Sequence, residues 1–154
     1  MDLLTQRCLI RRFTENDAAD LYEVLSSKEV MEYIEPPFDF RQTQKFIEEA
    51  GLCEPPLVYA LVWRTAGIVI GHVIFHRYEE DSCEIGWIIR RDYWGMGIAS
   101  EVTASLIEYA KTLNFRSCVI ECDPNQAASI RLAQKHGFIY EGEDDDCAVY
   151  RLIL

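Results

Sequence analysis

Residues 83–115 read CEIGWIIRRDYWGMGIASEVTASLIEYAKTLNF. They open as a strand. Side chains alternate along a strand, so Cys83, Ile85, Trp87 and Ile89 share one face and Glu84, Gly86 and Ile88 the other. They close as a helix, from Ile98 to about Leu113. Between the two stand Gly95 and Gly97. A helix start presents unpaired N–H groups and a partial positive charge. Glycine lets the backbone turn tightly and approach an anion closely. Strand, Gly-x-Gly, helix is therefore either a phosphate cradle or a tight connection with no ligand.

Working outward, CLIRRF reads as a first strand. A helix then begins at the N-cap Thr14, with Asp17 three residues on and Leu21, Val24 and Leu25 facing inward. MEYIEPPFDF, with its two prolines, is a loop. A second helix is capped by Asp39 and closed by Gly51. LVYALVWR and IVIGHVIFHRY form a hairpin through TAG, and EED turns the chain into the strand at Cys83. After the long helix come the strand SCVIEC, a helix stopped at Gly137, and the strands FIYEGE and AVYRLIL, hinged at DDD. This order, β-α-α-β-β-β-α-β-α-β-β, predicts one mixed α/β domain over residues 1–154. Its sheet has about seven mostly antiparallel strands, flanked on both faces by about four helices.

At 154 residues the chain has the length of one ordinary domain. No run of about 18 apolar residues is present, so no membrane span is expected, and MDLLTQRCLIRRF lacks a signal-peptide layout, which makes the cytoplasm the expected location. The six cysteines form no C-x-x-C pair and read as buried, reduced thiols. The formal charge of −11 repels nucleic-acid phosphates and suits a cationic or amine-bearing partner.

Rival readings of the glycines fare worse. A dinucleotide fingerprint would place Gly95, Gly97 and Ser100 in G-x-G-x-x-G register, with Glu121 ending the next strand. But RRDYW separates strand from glycines, and a lone β-α-β unit behind an antiparallel meander is wrong for that fold. A P-loop lacks its G-K-[ST]. His72 and His76, four apart on a strand, lie roughly 13 Å apart, too far to share a metal ion. His136 beside a helix end and the acidic run Asp144–Asp146 read as structural and solvated. No metal is expected.

EIGWIIRRDYWGMGIASE followed by ECDPNQAASIRLAQKHGF resembles the GNAT acetyltransferase superfamily, and most of all its branch of ribosomal-protein N-terminal acetyltransferases. TQRCLIRRFTENDAADLYE resembles that branch's first strand and helix. The resemblance implies that backbone N–H groups of Gly95, Met96, Gly97, Ile98 and Ala99 hold the pyrophosphate of acetyl-CoA. Trp87, Ile88 and Ile89 would pair with its pantetheine arm. Arg90, Arg91, Arg131 and Lys135 would supply local positive charge, and Asn125 or Gln126 a further contact. The acceptor, a small amine or a protein N-terminus, would be lined by Tyr33, Glu35, Phe38 and Tyr140, with Glu141 and Tyr150 nearby. The sequence departs from the family pattern in three places. Ala133 stands where many members carry a tyrosine acid, which leaves Ser129, Tyr140 or solvent for that role; Gln126 stands at the usual asparagine; Asp92 stands where Gln or Arg is common.

Acetyl transfer to an amine needs a neutral amine, donors for a developing oxyanion, and a proton or stabilisation for the departing thiolate. Glu84, a carboxylate inside an apolar strand, is the candidate base, directly or through water. The alternative function is a non-catalytic acyl-CoA-binding sensor or interaction module. The assembly is expected to be a monomer or a homodimer.

Overall fold

The strand-forming runs close into one eight-stranded sheet of order β1-β2-β3-β4-β5-β6-β8-β7. The structure, a computed structural model, covers residues 1–154. In chain order the elements are β1 (Leu3–Leu4), β2 (Cys8–Arg11), α1 (Ala18–Leu25), α2 (Lys28–Met31), α3 (Phe40–Phe46), β3 (Val58–Trp63), β4 (Ile68–Glu79) and β5 (Ser82–Ile89). Then follow α4 (Ile98–Thr112), β6 (Ser117–Cys122), α5 (Ala127–Lys135), β7 (Ile139–Asp144) and β8 (Cys147–Ile153). All neighbours are antiparallel except β5 and β6. The expected mixed sheet is present, with one strand and one helix more than the periodicity shows. Both extras, β1 and α2, are too short to display a period.

Local chemistry fixes the ends. Asp17 accepts the Thr14 N–H at 2.7 Å and is gripped by the Arg11 fork at 2.8 and 3.0 Å. Burial pushes its pKa up, but the Arg11 fork and the Thr14 N–H outweigh it and hold the carboxyl below its usual range. Asp39 and Gln42 exchange side-chain-to-backbone bonds of 2.7 and 2.8 Å, a capping box that starts α3. α3 then loosens into a π-helical turn over Ile47–Gly51. At DDD, Asp145 and Asp146 take φ of 45° and 65°, the turn that suits a two-residue hairpin.

The sheet separates two cores. On one face α4 and α5 cover Ile70, Val73, Phe75, Cys83, Ile85 and Ile89. On the other, α1, α2 and the turn after α3 cover Val58, Ala60, Val62 and Val69. In β4 strict alternation fails. Leu61 pairs with Gly71 but Val62 with Val69, so Ile70 is an extra residue, a bulge. Past it the faces are exchanged, and His72, Ile74 and His76 face the α1 side. His72 packs against Phe46 at 5.0 Å between ring centroids. All six cysteines are free; Cys8, Cys83, Cys118 and Cys122 are buried as expected, whereas Cys53 and Cys147 lie in loop and hairpin-end positions and are half-buried. No helix is long and apolar enough to cross a membrane.

Candidate active site

The parallel pairing of β5 with β6 lasts three residues. Ser82, Cys83 and Glu84 pair with Ser117, Cys118 and Val119, and beyond them the strands diverge. β5 stays with β4 to Ile89, while β6 follows β8. The wedge between them is a cleft of about 640 Å³. One wall is Trp87, Ile88 and Ile89, the other the start of α5, and the glycine turn closes the far end.

The backbone of β5 is open on the cleft side. Ile88 aims its carbonyl at β4, so closely that a Cβ on Gly71 would collide with it; only glycine fits there. The Arg90 N–H also bonds back, to Ile70 O at 2.7 Å. Alternation turns the N–H and C=O of Trp87 and Ile89 the other way. The Trp94 indole N–H takes the Ile89 carbonyl at 2.7 Å. Trp87 keeps both groups free for a ligand lying along the strand.

At the turn, Gly95 and Gly97 have φ of 73° and 79°, which glycine alone adopts without strain. None of the six N–H groups from Gly95 to Ser100 has a partner within the chain. They sit at the positive end of α4, a helix of 15 residues. Consecutive free N–H groups at such a place form an anion cradle. Ser100 Oγ pairs with His136 Nε2 at 2.9 Å and ties α4 to the end of α5. Burial first, then Lys135, hold His136 below its ordinary pKa.

The basic residues divide. Arg90 pairs with Asp92 at 3.2 Å, and Arg91 pairs with Glu29 at 2.8 Å while stacking 4.8 Å over Trp94. Both are engaged, and neither lines the cleft. Lys135 lines it, while Arg131 is exposed outside it. The Asn125 and Gln126 expected at the cofactor both line the cleft, as does Ser129.

Glu84 is the last residue of β5 paired to β6, so its backbone stands at the apex of the wedge, while its side chain, on the face away from α4, is not among those that line the cleft. Its carboxylate lies 3.1 Å from His76 Nε2, and His76 Nδ1 lies 3.0 Å from Arg77 O. Both ring nitrogens face oxygen acceptors, which the imidazolium alone can satisfy. The hydrogen bond to Glu84 raises the His76 pKa above its ordinary value, against an opposing effect of burial. Beside this pair, Tyr78 donates to Glu121 at 2.7 Å. Sequence reasoning missed His76, Tyr78 and Glu121. The signal was the β4–β5 hairpin register, His76 opposite Glu84, hidden by a one-residue shift between Arg77 and Glu79.

Comparison with known proteins decides what this arrangement is. The family described as acetyltransferase (GNAT) domain matches residues 7–139. The chain belongs to the GNAT acetyltransferase family. It is 30% identical over 149 residues to the uncharacterized N-acetyltransferase YnaD of Bacillus subtilis, covering 96% of this chain and 88% of that one. The structure of a GNAT-family acetyltransferase from Bacillus anthracis superposes with a TM-score of 0.89 at 26% identity, over 99% and 98% of the two chains. RimL, the ribosomal L7/L12 alpha-N-protein acetyltransferase solved with coenzyme A, shares the fold at a TM-score of 0.81 and 20% identity, over 100% and 98%.

Within this GNAT fold the acceptor-side residues named from sequence are only partly gathered. Tyr33 lines the cleft. Phe38 is half-buried and edge-on to Phe46 at 6.1 Å, part of the second core. Glu35 is exposed beyond the cleft. Tyr140 pairs with Tyr150 across the β7–β8 hairpin, its ring 5.5 Å away on the α4–α5 face, so it stands three strands over from Glu84 and on the opposite face of the sheet. Met96 is exposed, and its carbonyl is turned out of the cleft. Ala133 is fully buried in the core, so on α5 the hydroxyl that lines the GNAT cleft is that of Ser129.

Proposed function

We propose that this protein transfers the acetyl group of acetyl-CoA to a primary amine held in the same complex. The observation that carries the reading is the wedge itself: an open strand edge at Trp87 leading to six unpartnered N–H groups at Gly95–Ser100. An unbranched chain of amides ending in a pyrophosphate fits those two features in that order. The donor supplies a thioester carbonyl open to attack.

The chain's own residues do the rest. The N–H groups from Gly95 to Ala99 hold the pyrophosphate, with Lys135 and the amides of Asn125 and Gln126 beside it. Trp87 pairs its backbone with the pantetheine arm between Ile88 and Ile89. Glu84 at the apex accepts the proton that the attacking ammonium must lose, directly or through one water. As the new N–C bond forms and the C–S bond breaks, the thiolate leaves toward α5, where Ser129 or solvent gives it a proton. The acceptor is a small cationic amine or a protein N-terminus. The net charge of −11 and the carboxylates of Glu84 and Glu121 favour a cation; RimL, of the same fold, acts on a ribosomal protein.

Calorimetric titration with acetyl-CoA, with NADH as control, is the first test. Binding of acetyl-CoA alone is expected; no binding at any accessible concentration would end the proposal. With an amine that turns over, Glu84→Gln is expected to lower kcat by about 10²–10⁴-fold while acetyl-CoA affinity stays within a few-fold. A Glu84→Gln enzyme as fast as the parent would remove Glu84 from the mechanism. Absence of turnover over a broad amine screen, with acetyl-CoA bound, would favour an acyl-CoA-binding module instead.

A further inference from the structure

The glycine turn has a weakness that its own sequence cannot repair. Met96 lies between two glycines, so the peptide linking Met96 to Gly97 can rotate with no Cβ at residue 97 to oppose it. Rotated, it would withdraw the Gly97 N–H from the cradle and put the Met96 carbonyl in its place, facing the anion. Something outside the turn must set its direction.

That contact comes from the other end of the chain. Arg7, in the turn between β1 and β2, donates from Nη1 to Met96 O at 2.7 Å. Its Nε donates to Glu101 Oε2 at 2.7 Å, and its backbone N–H to Glu101 Oε1 at 2.7 Å. Thr5 Oγ1 donates to the same Oε1 at 2.6 Å. Glu101 sits in the first turn of α4 and is mostly buried, at 14% side-chain exposure. The β1–β2 turn is itself anchored, since Arg64 Nη1 donates to the carbonyls of Thr5 and Gln6, each at 3.1 Å. Neither Arg7 nor Glu101 lines the cleft.

We propose that Arg7 is a positioning residue for the donor: oriented by Glu101, it holds the Met96 carbonyl out of the cleft and so keeps the N–H groups of the glycine turn aimed at the pyrophosphate. This rests on the acetyl-CoA reading above. The planar guanidinium bonds a carbonyl and a carboxylate at once, which an ammonium cannot copy in that geometry. Because its charge is matched by Glu101, Arg7 works by fixing a peptide plane rather than by attracting phosphate.

The test is the affinity of the full chain for acetyl-CoA in the parent, Arg7→Met, Arg7→Lys and Glu101→Gln, by calorimetry, with amide spectra of the glycine turn recorded alongside. Arg7→Met and Arg7→Lys should each weaken binding about tenfold or more, the scale of a charge-assisted hydrogen bond. Glu101→Gln should weaken it too, although it removes a negative charge near the anion. Amide signals of Gly97 and Ile98 should shift or double in the variants, with those of β6 and β8 unmoved. Parent binding with all three variants within twofold would overturn the role of Arg7 alone. Weaker binding in Arg7→Met with retained affinity in Arg7→Lys and tighter binding in Glu101→Gln would also overturn it, making Arg7 a direct charge on the phosphate. Failure of the parent to bind acetyl-CoA would overturn the donor assignment and this role with it. If Arg7→Met does not fold, Arg7→Lys and Glu101→Gln decide the matter.

Discussion

Two histidines four residues apart on β4 face the same side of the sheet yet titrate in opposite directions. His72 is 3% exposed and its Nδ1 has no hydrogen-bond partner. Burial brings its pKa from the ordinary 6.5 down to about 4. Between those values the unfolded chain binds the extra proton, so stability falls as pH falls from about 6.5 towards 4. His76, raised by its bond to Glu84, stabilises fully below about 6.5, and that contribution is lost as pH rises through its elevated pKa. His72→Leu removes the unpartnered nitrogen and is expected to flatten the acid side of a stability-against-pH curve while leaving the alkaline side alone. Urea midpoints at a series of pH values would read this, and parallel acid slopes in parent and variant would refute it. The sequence shows both histidines and Glu84 but not their fates. A histidine's state depends on which groups the register sets opposite it. Here a bulge at Ile70 and a shift near Arg77 set that register, and in a run with apolar residues on both faces neither can be placed from the sequence.

At the scale of elements, β5 and α4 were legible because each carries a period, and the joint between them because glycine is chemically distinctive. The wedge was not. It is an absence of pairing, and a strand's sequence does not tell where its neighbour departs. Gly71 is the hidden half of that arrangement. It lets the Ile88 carbonyl approach β4 closely, and so helps fix which β5 groups are left facing the cleft. Gly71→Ala would drive a Cβ into that carbonyl, backbone against backbone. We expect a loss of about 2–4 kcal/mol in unfolding free energy, within the range of severe steric substitutions, read from chemical denaturation. A variant as stable as the parent would mean that β4 and β5 can separate there at no cost.

For the whole molecule, the net charge of −11 opposes an anionic donor at long range. The guanidiniums around the turn offer little relief, since Arg7, Arg90 and Arg91 are each paired to a carboxylate. Attraction is left to short-range N–H dipoles and Lys135. The association rate for acetyl-CoA should therefore rise as salt increases from about 10 to 150 mM, because screening weakens the long-range repulsion first. A falling rate in stopped-flow measurements would mean that local positive potential steers the donor after all. The sheet is in effect two slabs, β1–β5 and β6–β8–β7, stitched by three parallel rungs with the Cys83 and Cys118 sulfurs 3.7 Å apart at the middle one. An unpaired strand edge at a sheet's rim invites another copy of the protein to add on and polymerise. Here the bare edge lies inside the sheet, with β6 opposite it and α4 and α5 over one face. A polypeptide strand added there would need room for side chains on both faces, one of them already covered, whereas an unbranched amide chain carries none. The enclosure that keeps a further strand off this edge thus also selects a guest without side chains.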